Sequence, residues 1–144
     1  MTRPMTKFVK TQDLDKSAKL TLANMQEYYD MYGVDWTLSD VRSAIENLEN
    51  YDLVNDDGVF GVVRLSFENN RCQLRDIQVV SNQQNKGLGA LVISKVTELA
   101  RQKQLGFIDL RVFKRSPAYR LYGRLGFVIE SEDDKFYQMT LTVI

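Results

Sequence analysis

Asn82-Gln83-Gln84-Asn85-Lys86-Gly87-Leu88-Gly89 is the stretch of sequence from which the fold of this chain can be read. It joins a strand-like segment, Arg71 to Val80, to a segment whose apolar residues recur at helical spacing. Glycines at such a junction let a ligand approach the backbone closely, and a helix N-terminus offers unpaired N–H groups with partial positive charge. Positions 81 to 90 contain no acidic residue, and Lys86 adds a positive charge. The stretch is therefore suited to an anion such as a diphosphate.

Other glycine patterns at a strand-to-helix junction also bind phosphate, and two of them can be excluded. The dinucleotide-binding fingerprint needs a third glycine at the position that Val92 occupies. The Walker pattern needs a Gly-Lys-Ser/Thr sequence, which this stretch lacks. The alternative to phosphate binding is a plain strand-to-helix turn that happens to contain two glycines.

Upstream of this stretch, apolar residues at helical spacing predict a helix from Asp13 to about Tyr29, and a second helix with Ser39 as its N-cap. Asn55-Asp-Asp-Gly58 is a hairpin-turn signal, and Glu68-Asn-Asn70 predicts the next turn. The strands predicted around these helices and turns are Lys7–Lys10, Tyr51–Val54, Val59–Phe67 and Arg71–Val80.

Downstream, the long helix is predicted to end near Gly106, which has the position of a C′ glycine. Ser116 and Pro117 are typical of an N-cap and a first helical position, and Gly126 is expected to end this helix. The remaining predicted strands are Phe107–Phe113, Phe127–Glu130 and Phe136–Val143. The order is strand, two helices, three strands, helix, strand, helix and two strands, which indicates an α/β domain with a mixed sheet.

The strand before the loop changes the phase of its apolar residues. Cys72 and Leu74 share one face, whereas Ile77 and Val79 share the other. A β-bulge between Leu74 and Ile77 would explain the switch. A central strand covered on both faces would explain it equally well.

Composition points to one globular domain, because 44% of the 144 residues are hydrophobic and 26% are charged. Lys and Arg number 19, and so do Asp and Glu, so no basic excess indicates nucleic acid as a partner. The start of the sequence lacks the apolar run of a signal peptide, and no stretch approaches the roughly 20 apolar residues of a membrane span. We therefore expect a cytoplasmic protein without a membrane partner; the sequence leaves a homodimer open.

The chain contains no histidine and one cysteine, Cys72. Ser-His and Cys-His nucleophile pairs are therefore excluded, and so are the usual zinc sites. A general base has to be a carboxylate, a lysine, a tyrosine, a terminus or water. We expect Cys72 to be structural, because free cysteines are commonly buried.

Three segments together resemble the GNAT superfamily of N-acetyltransferases. Gln84-x-x-Gly87-x-Gly89 is similar to its acetyl-CoA pyrophosphate signature, and Leu74-Arg-Asp-Ile77-Gln-Val79 is similar to its bulged fourth strand. Ser116-Pro-Ala-Tyr-Arg-Leu-Tyr122-Gly-Arg-Leu-Gly126-Phe resembles its helix after the fifth strand, which usually reads Asn-x-x-Ala-x-x-x-Tyr-x-x-x-Gly-Phe. The resemblance is specific from about residue 59 to 130. It departs from the family at Ser116, where asparagine is usual and where serine is the shorter side chain.

The resemblance implies a single N-acetyltransferase domain over residues 1–144. Its fold would be a central mixed, mostly antiparallel, twisted sheet of about seven strands flanked by four helices, in the order β1-α1-α2-β2-β3-β4-α3-β5-α4-β6-β7. Its activity would be transfer of the acetyl group of acetyl-CoA to a primary amine of a small molecule or peptide, by direct attack in a ternary complex and without a metal. The alternative function is a non-catalytic acyl-CoA sensor or interaction module on the same fold.

The resemblance also implies where acetyl-CoA binds. The fourth and fifth strands would splay apart at the bulge, with the pantetheine arm in the gap, bonded to the backbone of about Ile77 to Val79. Backbone amides of the glycine loop would hold the pyrophosphate. The implied cofactor residues are Ile77, Gln78, Val79, Gln84, Asn85, Lys86, Gly87, Leu88, Gly89, Ala90, Ser116, Tyr119 and Tyr122.

Two residues are the candidates for catalysis. Asp76 is the carboxylate best placed to take the proton of the amine, with a salt bridge to Arg64 or Arg75 as the alternative. Tyr122 resembles the family's tyrosine that hydrogen-bonds the departing sulfur, with a core aromatic position as the alternative.

Acceptor binding is least readable from the sequence. Tyr29, Tyr32 and Trp36 lie among acidic residues near the break between the first two helices, a combination that can recognise a cationic amine. The alternative is ordinary helix packing with solvated charge. Arg64 and Arg75 point instead to a substrate that also carries a carboxylate.

Overall fold

The computed structural model describes residues 6–80 and 87–143, which form seven strands and four helices in the predicted order. The predicted fold class is confirmed. None of the described helices is long and apolar enough to cross a membrane. The elements are β1 (Lys7–Lys10), α1 (Leu14–Met31), α2 (Leu38–Ile45), β2 (Glu49–Asn55), β3 (Gly58–Glu68), β4 (Arg71–Val79), α3 (Leu88–Gln102), β5 (Phe107–Phe113), α4 (Ala118–Arg124), β6 (Val128–Glu132) and β7 (Phe136–Thr142).

The seven strands form one sheet in the order β1-β2-β3-β4-β5-β7-β6. β1 and β2 are antiparallel, as are β5 with β7 and β6 with β7. β4 and β5 are parallel, with a register that runs from Arg71 opposite Phe107 to Leu74 opposite Leu110. The sheet is therefore mixed, as the sequence predicted.

The chain divides into two compact units. Among the described residues, the first unit contains 6–64 and 76–80, and the second contains 65–75 and 87–143. In the first unit, Ala18 of α1 packs with Val41 and Ile45 of α2. In the second unit, the buried apolar side chains include Val92 and Val96 of α3, Ile108 of β5 and Met139 of β7.

The start of α2 differs from the prediction that Ser39 is its N-cap. Thr37 is the N-cap: its hydroxyl accepts the backbone N–H of Asp40 at 3.3 Å, and the Asp40 carboxylate accepts the N–H of Thr37 at 2.8 Å. This reciprocal capping box satisfies two backbone donors at once, which Ser39 could not do from inside the helix. At α1, Asp13 is the N-cap and accepts the N–H of Lys16.

The ends of α3 and α4 show which glycine predictions hold. Gly126 follows α4 with φ +103°, and the N–H of Phe127 bonds the carbonyl of Tyr122, so Gly126 is the predicted terminator. After α3 the same motif is made by Gln104, at φ 60°, and not by Gly106. α4 begins at Ala118 with Pro117 as N-cap, one residue later than predicted, and the Ser116 hydroxyl accepts the N–H of Ala118.

Burial along β4 does not follow the change of phase in its apolar residues. Cys72, Leu74 and Gln78 are buried, whereas Ile77 and Val79 are half-buried. The buried residues therefore lie at even-numbered positions throughout the strand, and they change from the apolar Cys72 and Leu74 to the polar Gln78. The bulge remains a prediction, and the buried polar end of the strand leads to the candidate site.

Candidate functional site

Arg64 of β3 is the centre of a buried polar cluster in the first unit. Its side chain is fully buried, and all five of its N–H groups have an acceptor within the chain. The acceptors are Asn50 Oδ1, Thr21 Oγ1, Asp76 Oδ2, and the hydroxyl and carbonyl oxygens of Ser17. We call Arg64 and its four partner residues, Ser17, Thr21, Asn50 and Asp76, the Arg64 network. Since no donor is left over, the expectation that Arg64 binds a substrate carboxylate does not fit this geometry.

Asp76 of β4 completes the network. Its Oδ2 accepts from Arg64 at 2.7 Å, its Oδ1 accepts from the Gln78 amide at 2.7 Å, and the N–H of Ile77 also bonds the carboxylate. About a quarter of the Asp76 side chain (24%) is exposed, whereas Arg64 is 0% exposed. Burial raises the pKa of Asp76, and the Arg64 charge and the three hydrogen bonds oppose that rise. The carboxylate is thus held in one orientation, with a hydrogen bond at each of its two oxygens.

The salt-bridge alternative for Asp76 is present, and Arg64 is the partner. The guanidinium of the exposed Arg75 instead donates to Gln73 at 3.3 Å. A salt bridge does not by itself exclude the role of a base, because each carboxylate oxygen can accept more than one hydrogen bond. The role of Asp76 as base stays a prediction.

Asn24 of α1 is a site residue that the sequence analysis missed. Its amide donates to the carbonyl of Val79 at 2.8 Å and to Oε1 of Gln78 at 3.2 Å. Asn24 thereby contacts the end of β4 to which the resemblance assigns the pantetheine arm. The two partners lie more than 50 residues away along the chain, so no local sequence signal marks this contact.

The aromatic residues predicted for acceptor binding lie at the end of α1 and just beyond it. Tyr29 is buried at 9% exposure, and its ring lies 6.0 Å from that of Trp36, which is 43% exposed. Burial raises the pKa of Tyr29, as does the Asp76 carboxylate, while Arg64 opposes the rise. The backbone N–H of Tyr32 caps α1 at the carbonyl of Tyr28. Tyr29 therefore lies close enough to the Arg64 network for the charges of Asp76 and Arg64 to act on its pKa.

The predicted phosphate loop is described in the second unit from Gly87 onward; Gln84, Asn85 and Lys86 lie outside the described residues. Gly87 is the N-cap of α3 with φ 76°, a left-handed conformation that favours glycine. The first intrahelical bond runs from Leu91 N–H to the Gly87 carbonyl at 3.3 Å, so the N–H groups of Leu88, Gly89 and Ala90 have no acceptor inside the helix. The first turn contains no acidic side chain. This helix start has the features of an anion site.

Gly89 has a packing reason to be glycine besides the one that the sequence suggested. A Cβ at this position would lie 2.5 Å from Cδ2 of Leu121, so α3 and α4 meet closely here. The obstruction is the end of a flexible side chain, which can move. Gly89 therefore serves the contact of two helices as well as the open approach to the N-terminus.

The three predicted residues of the α4 segment also lie in the second unit. The ring of Tyr122 lies 5.8 Å from that of Phe127 in an edge-on arrangement, and Tyr122 is half-buried. Tyr119 packs on Tyr137 at 5.2 Å, and the guanidinium of Arg120 donates to its hydroxyl. The Ser116 hydroxyl is engaged by the N–H of Ala118. Tyr122 thus has both a packing contact and a partly exposed surface, and its role at the departing sulfur stays a prediction.

Cys72 has the surroundings of a core residue. It is fully buried in β4, and burial together with the Asp109 charge raises the pKa of its thiol to about 11. A protonated, buried thiol is a poor nucleophile. Among residues 6–80 and 87–143, no group of three or more His, Cys, Asp and Glu side chains could hold a metal ion.

Comparison of the sequence with known proteins identifies the family of this chain. Residues 21–127 match the family model described as the acetyltransferase (GNAT) family. The chain is 32% identical over 82 residues to a streptothricin acetyltransferase of Streptomyces lavendulae, a match that covers 56% of this chain and 43% of that protein. The chain thus spans less than half the length of this relative.

Solved structures agree with the fold. A nourseothricin acetyltransferase superposes with a TM-score of 0.61 at 25% identity, over 69% of this chain and 67% of that one. PaiA N-acetyltransferase of Thermoplasma acidophilum, solved in complex with coenzyme A, superposes with a TM-score of 0.68 at 18% identity, over 96% and 99% of the two chains. The family model covers most of the chain, and the seven-stranded architecture agrees with it. This chain therefore belongs to the acetyltransferase (GNAT) family.

Proposed function

We propose that the protein transfers the acetyl group of acetyl-CoA to a primary amine of a small molecule, by direct attack in a ternary complex. Family membership supports acyl transfer, and the relative named as a streptothricin acetyltransferase supports a small-molecule acceptor. The observation that carries the cofactor part of the proposal is the start of α3. There, Gly87 caps the helix in a left-handed conformation, and the backbone N–H groups of residues 88–90 have no acceptor inside the helix. The first turn also contains no acidic side chain.

The residues present fit a diphosphate. The N–H groups of residues 88–90 would bind its oxygens, and the absence of a side chain at Gly87 and Gly89 would allow it close to the backbone. When bound, acetyl-CoA would supply an activated acetyl thioester. The further residues that we propose for its binding are Ile77, Gln78, Val79, Gln84, Asn85, Lys86, Ser116, Tyr119 and Tyr122.

The amine has to lose a proton before it can attack. A lysine-like amine has a pKa near 10.4, so at pH 7 its neutral form lies about 3.4 pH units uphill, roughly 4.6 kcal/mol. We propose that Asp76, whose side chain is 24% exposed, accepts this proton. The pKa of Asp76 is raised by burial, which makes it a better base than an ordinary aspartate.

The departing sulfur develops negative charge as the amide forms. We propose that the Tyr122 hydroxyl donates a hydrogen bond to it. A phenol with a pKa near 10 would give up its proton to a thiolate with a pKa near 8.5 only at a cost of roughly 2 kcal/mol. A hydrogen bond that strengthens as the charge develops avoids that cost.

For the acceptor we propose contact with the aromatic group Tyr29, Tyr32 and Trp36. An exposed indole beside a tyrosine offers cation–π contact to an ammonium group. Arg75, which is exposed and contacts only a neutral amide among its described hydrogen bonds, is the remaining candidate for a substrate carboxylate.

The test is release of free CoA from acetyl-CoA in the presence of individual amines, followed by mass spectrometry of the acetylated product. The panel holds streptothricin first, because of the named relative, and then polyamines, amino acids and peptides. Turnover with one class and intersecting initial-rate plots would support the proposal. Tight CoA binding without turnover on any amine would favour the sensor alternative, and absence of CoA binding would overturn the cofactor assignment.

A further inference from the structure

The end of β4 is held from two sides by residues that have no role in the proposed chemistry. Asn24 of α1 forms hydrogen bonds with it. Gly61 of β3 has no side chain, which allows the β4 backbone to lie close to it. We call Asn24 and Gly61 the β4 clamp. The segment they hold, Gln78–Val79, lies next to Asp76 and is the one that the proposed function assigns to the acyl-CoA arm.

Gly61 is required by space. A Cβ at this position would lie 2.6 Å from the backbone carbonyl oxygen of Gln78, 3.0 Å from Cδ1 of Leu53 and 3.4 Å from Cα of Val79. The nearest of these atoms belongs to the backbone, which cannot move aside as a flexible side chain can. The φ of Gly61 is not in the left-handed region, so its backbone conformation would accept any residue. An alanine here would therefore have to push the Gln78–Val79 backbone away from β3.

Asn24 fixes the same segment by hydrogen bonding. Its amide nitrogen donates to the carbonyl oxygen of Val79 at 2.8 Å and to the side-chain oxygen of Gln78 at 3.2 Å. The Gln78 amide in turn donates to Asp76 at 2.7 Å, and the N–H of Val80 bonds the carbonyl of Phe60 at 2.9 Å. The carbonyls of two successive residues, Gln78 and Val79, are thus each placed by one member of the clamp.

We propose that Asn24 and Gly61 are positioning residues that set the backbone of Gln78–Val79 for binding acyl-CoA. The inference rests on the proposed function, because that function places the cofactor on this segment. Backbone groups hydrogen-bond a ligand only at the right distance and angle, so a displaced Gln78–Val79 backbone would bind the cofactor more weakly. In this proposal the clamp acts through the backbone of Gln78–Val79.

The test uses two variants that perturb the segment in opposite ways. Gly61→Ala adds a methyl group against the Gln78 carbonyl, and Asn24→Leu keeps the size of the side chain while removing the donor. We expect the KM for acetyl-CoA to rise about fivefold in each, the effect of losing roughly one hydrogen bond, with kcat and the KM for the amine within about twofold of wild type. CoA binding measured by calorimetry should weaken by the same factor.

Val41→Ala is the control for instability alone. Val41 is buried in the α1–α2 cluster and makes no described contact with β4, so its truncation lowers the melting temperature and should leave the KM for acetyl-CoA unchanged. If wild type binds CoA while folded Gly61→Ala and Asn24→Leu bind it equally well, the clamp proposal is overturned. If wild type itself does not bind CoA, the proposed function fails instead. If Gly61→Ala does not fold, the half-buried Asn24→Leu decides alone.

Discussion

Two regions of this protein reach a fixed geometry in opposite ways. In the first unit, the five N–H groups of Arg64 bind acceptors on α1, β2 and β4, so a long side chain organises the site. In the second unit, the start of α3 is shaped by Gly87 and Gly89, which have no side chain. The comparison teaches that the two regions need different substitutions. Removing side-chain atoms tests the Arg64 network, whereas adding a side chain at a glycine tests the start of α3.

The largest expected effect comes from removing the Arg64 charge. Arg64→Met should lower the free energy of unfolding by about 3 kcal/mol, because it leaves Asp76 and the other acceptors of the network without their donor. We place the value at the lower end of the usual range since Asp76 is partly exposed. Denaturant titration measures the change.

Arg42→Met is the matched control for this substitution. Arg42 makes two salt bridges, to Asp15 and Glu46. Its own side chain is half-buried, but both carboxylates are exposed, so its removal should cost about 1 kcal/mol or less. Adding Asp76→Leu to Arg64→Met should recover part of the loss, because no unpaired carboxylate remains. Equal losses at Arg64 and Arg42 would show that the network does not organise the first unit.

A smaller effect, on turnover, is expected from one oxygen atom in the second unit. Tyr122→Phe keeps the ring that packs on Phe127 and removes the hydroxyl proposed to stabilise the departing sulfur. We expect turnover to fall by at least about tenfold, a bound below the usual range for groups of this kind, with little change in CoA affinity. Tyr51→Phe on β2 is the control. A Tyr122→Phe protein that melts early but retains normal turnover per folded molecule would make Tyr122 a core residue.

Adding atoms at the start of α3 tests the glycine region. Gly89→Val should weaken CoA binding about tenfold, which corresponds to losing one charge-assisted hydrogen bond from the helix N-terminus. Because a Cβ there also meets Leu121, the double variant Gly89→Val with Leu121→Ala separates the two effects. Binding that recovers in the double variant would assign Gly89 to helix packing alone, whereas binding that stays weak would assign it to the ligand. Calorimetry with CoA measures both.

The same contrast explains what the sequence could predict. The end of α4 at Gly126 was predicted correctly because glycine favours the left-handed backbone conformation, so a single residue in the sequence indicates it. Gln104 was missed because a non-glycine residue took that conformation after α3. The Arg64–Asp76 salt bridge was among the sequence-based alternatives, but the rest of the Arg64 network could not be predicted, since Ser17 lies 47 residues from Arg64 and only folding brings them together. Local motifs therefore indicated the family and the α3 loop, while long-range polar contacts of the first unit required the structure.

The smallest effect is expected at Cys72, the residue whose removal tests the mechanism most directly. Burial raises the pKa of the Cys72 thiol to about 11, so the thiolate is even less populated at neutral pH than for an ordinary cysteine. Cys72→Ala should therefore keep most of the activity and lose about 1 kcal/mol of stability.

The raised pKa of the Cys72 thiol also fixes the sign of a pH effect on stability. The contribution of the thiol to stability is fully present below its ordinary pKa of 9.0 and is lost as the pH rises through about 11. The stability difference between wild type and Cys72→Ala should accordingly shrink above pH 9.0. An acetylated Cys72 that goes on to product would contradict direct transfer, and it would require a thiolate that this burial disfavours.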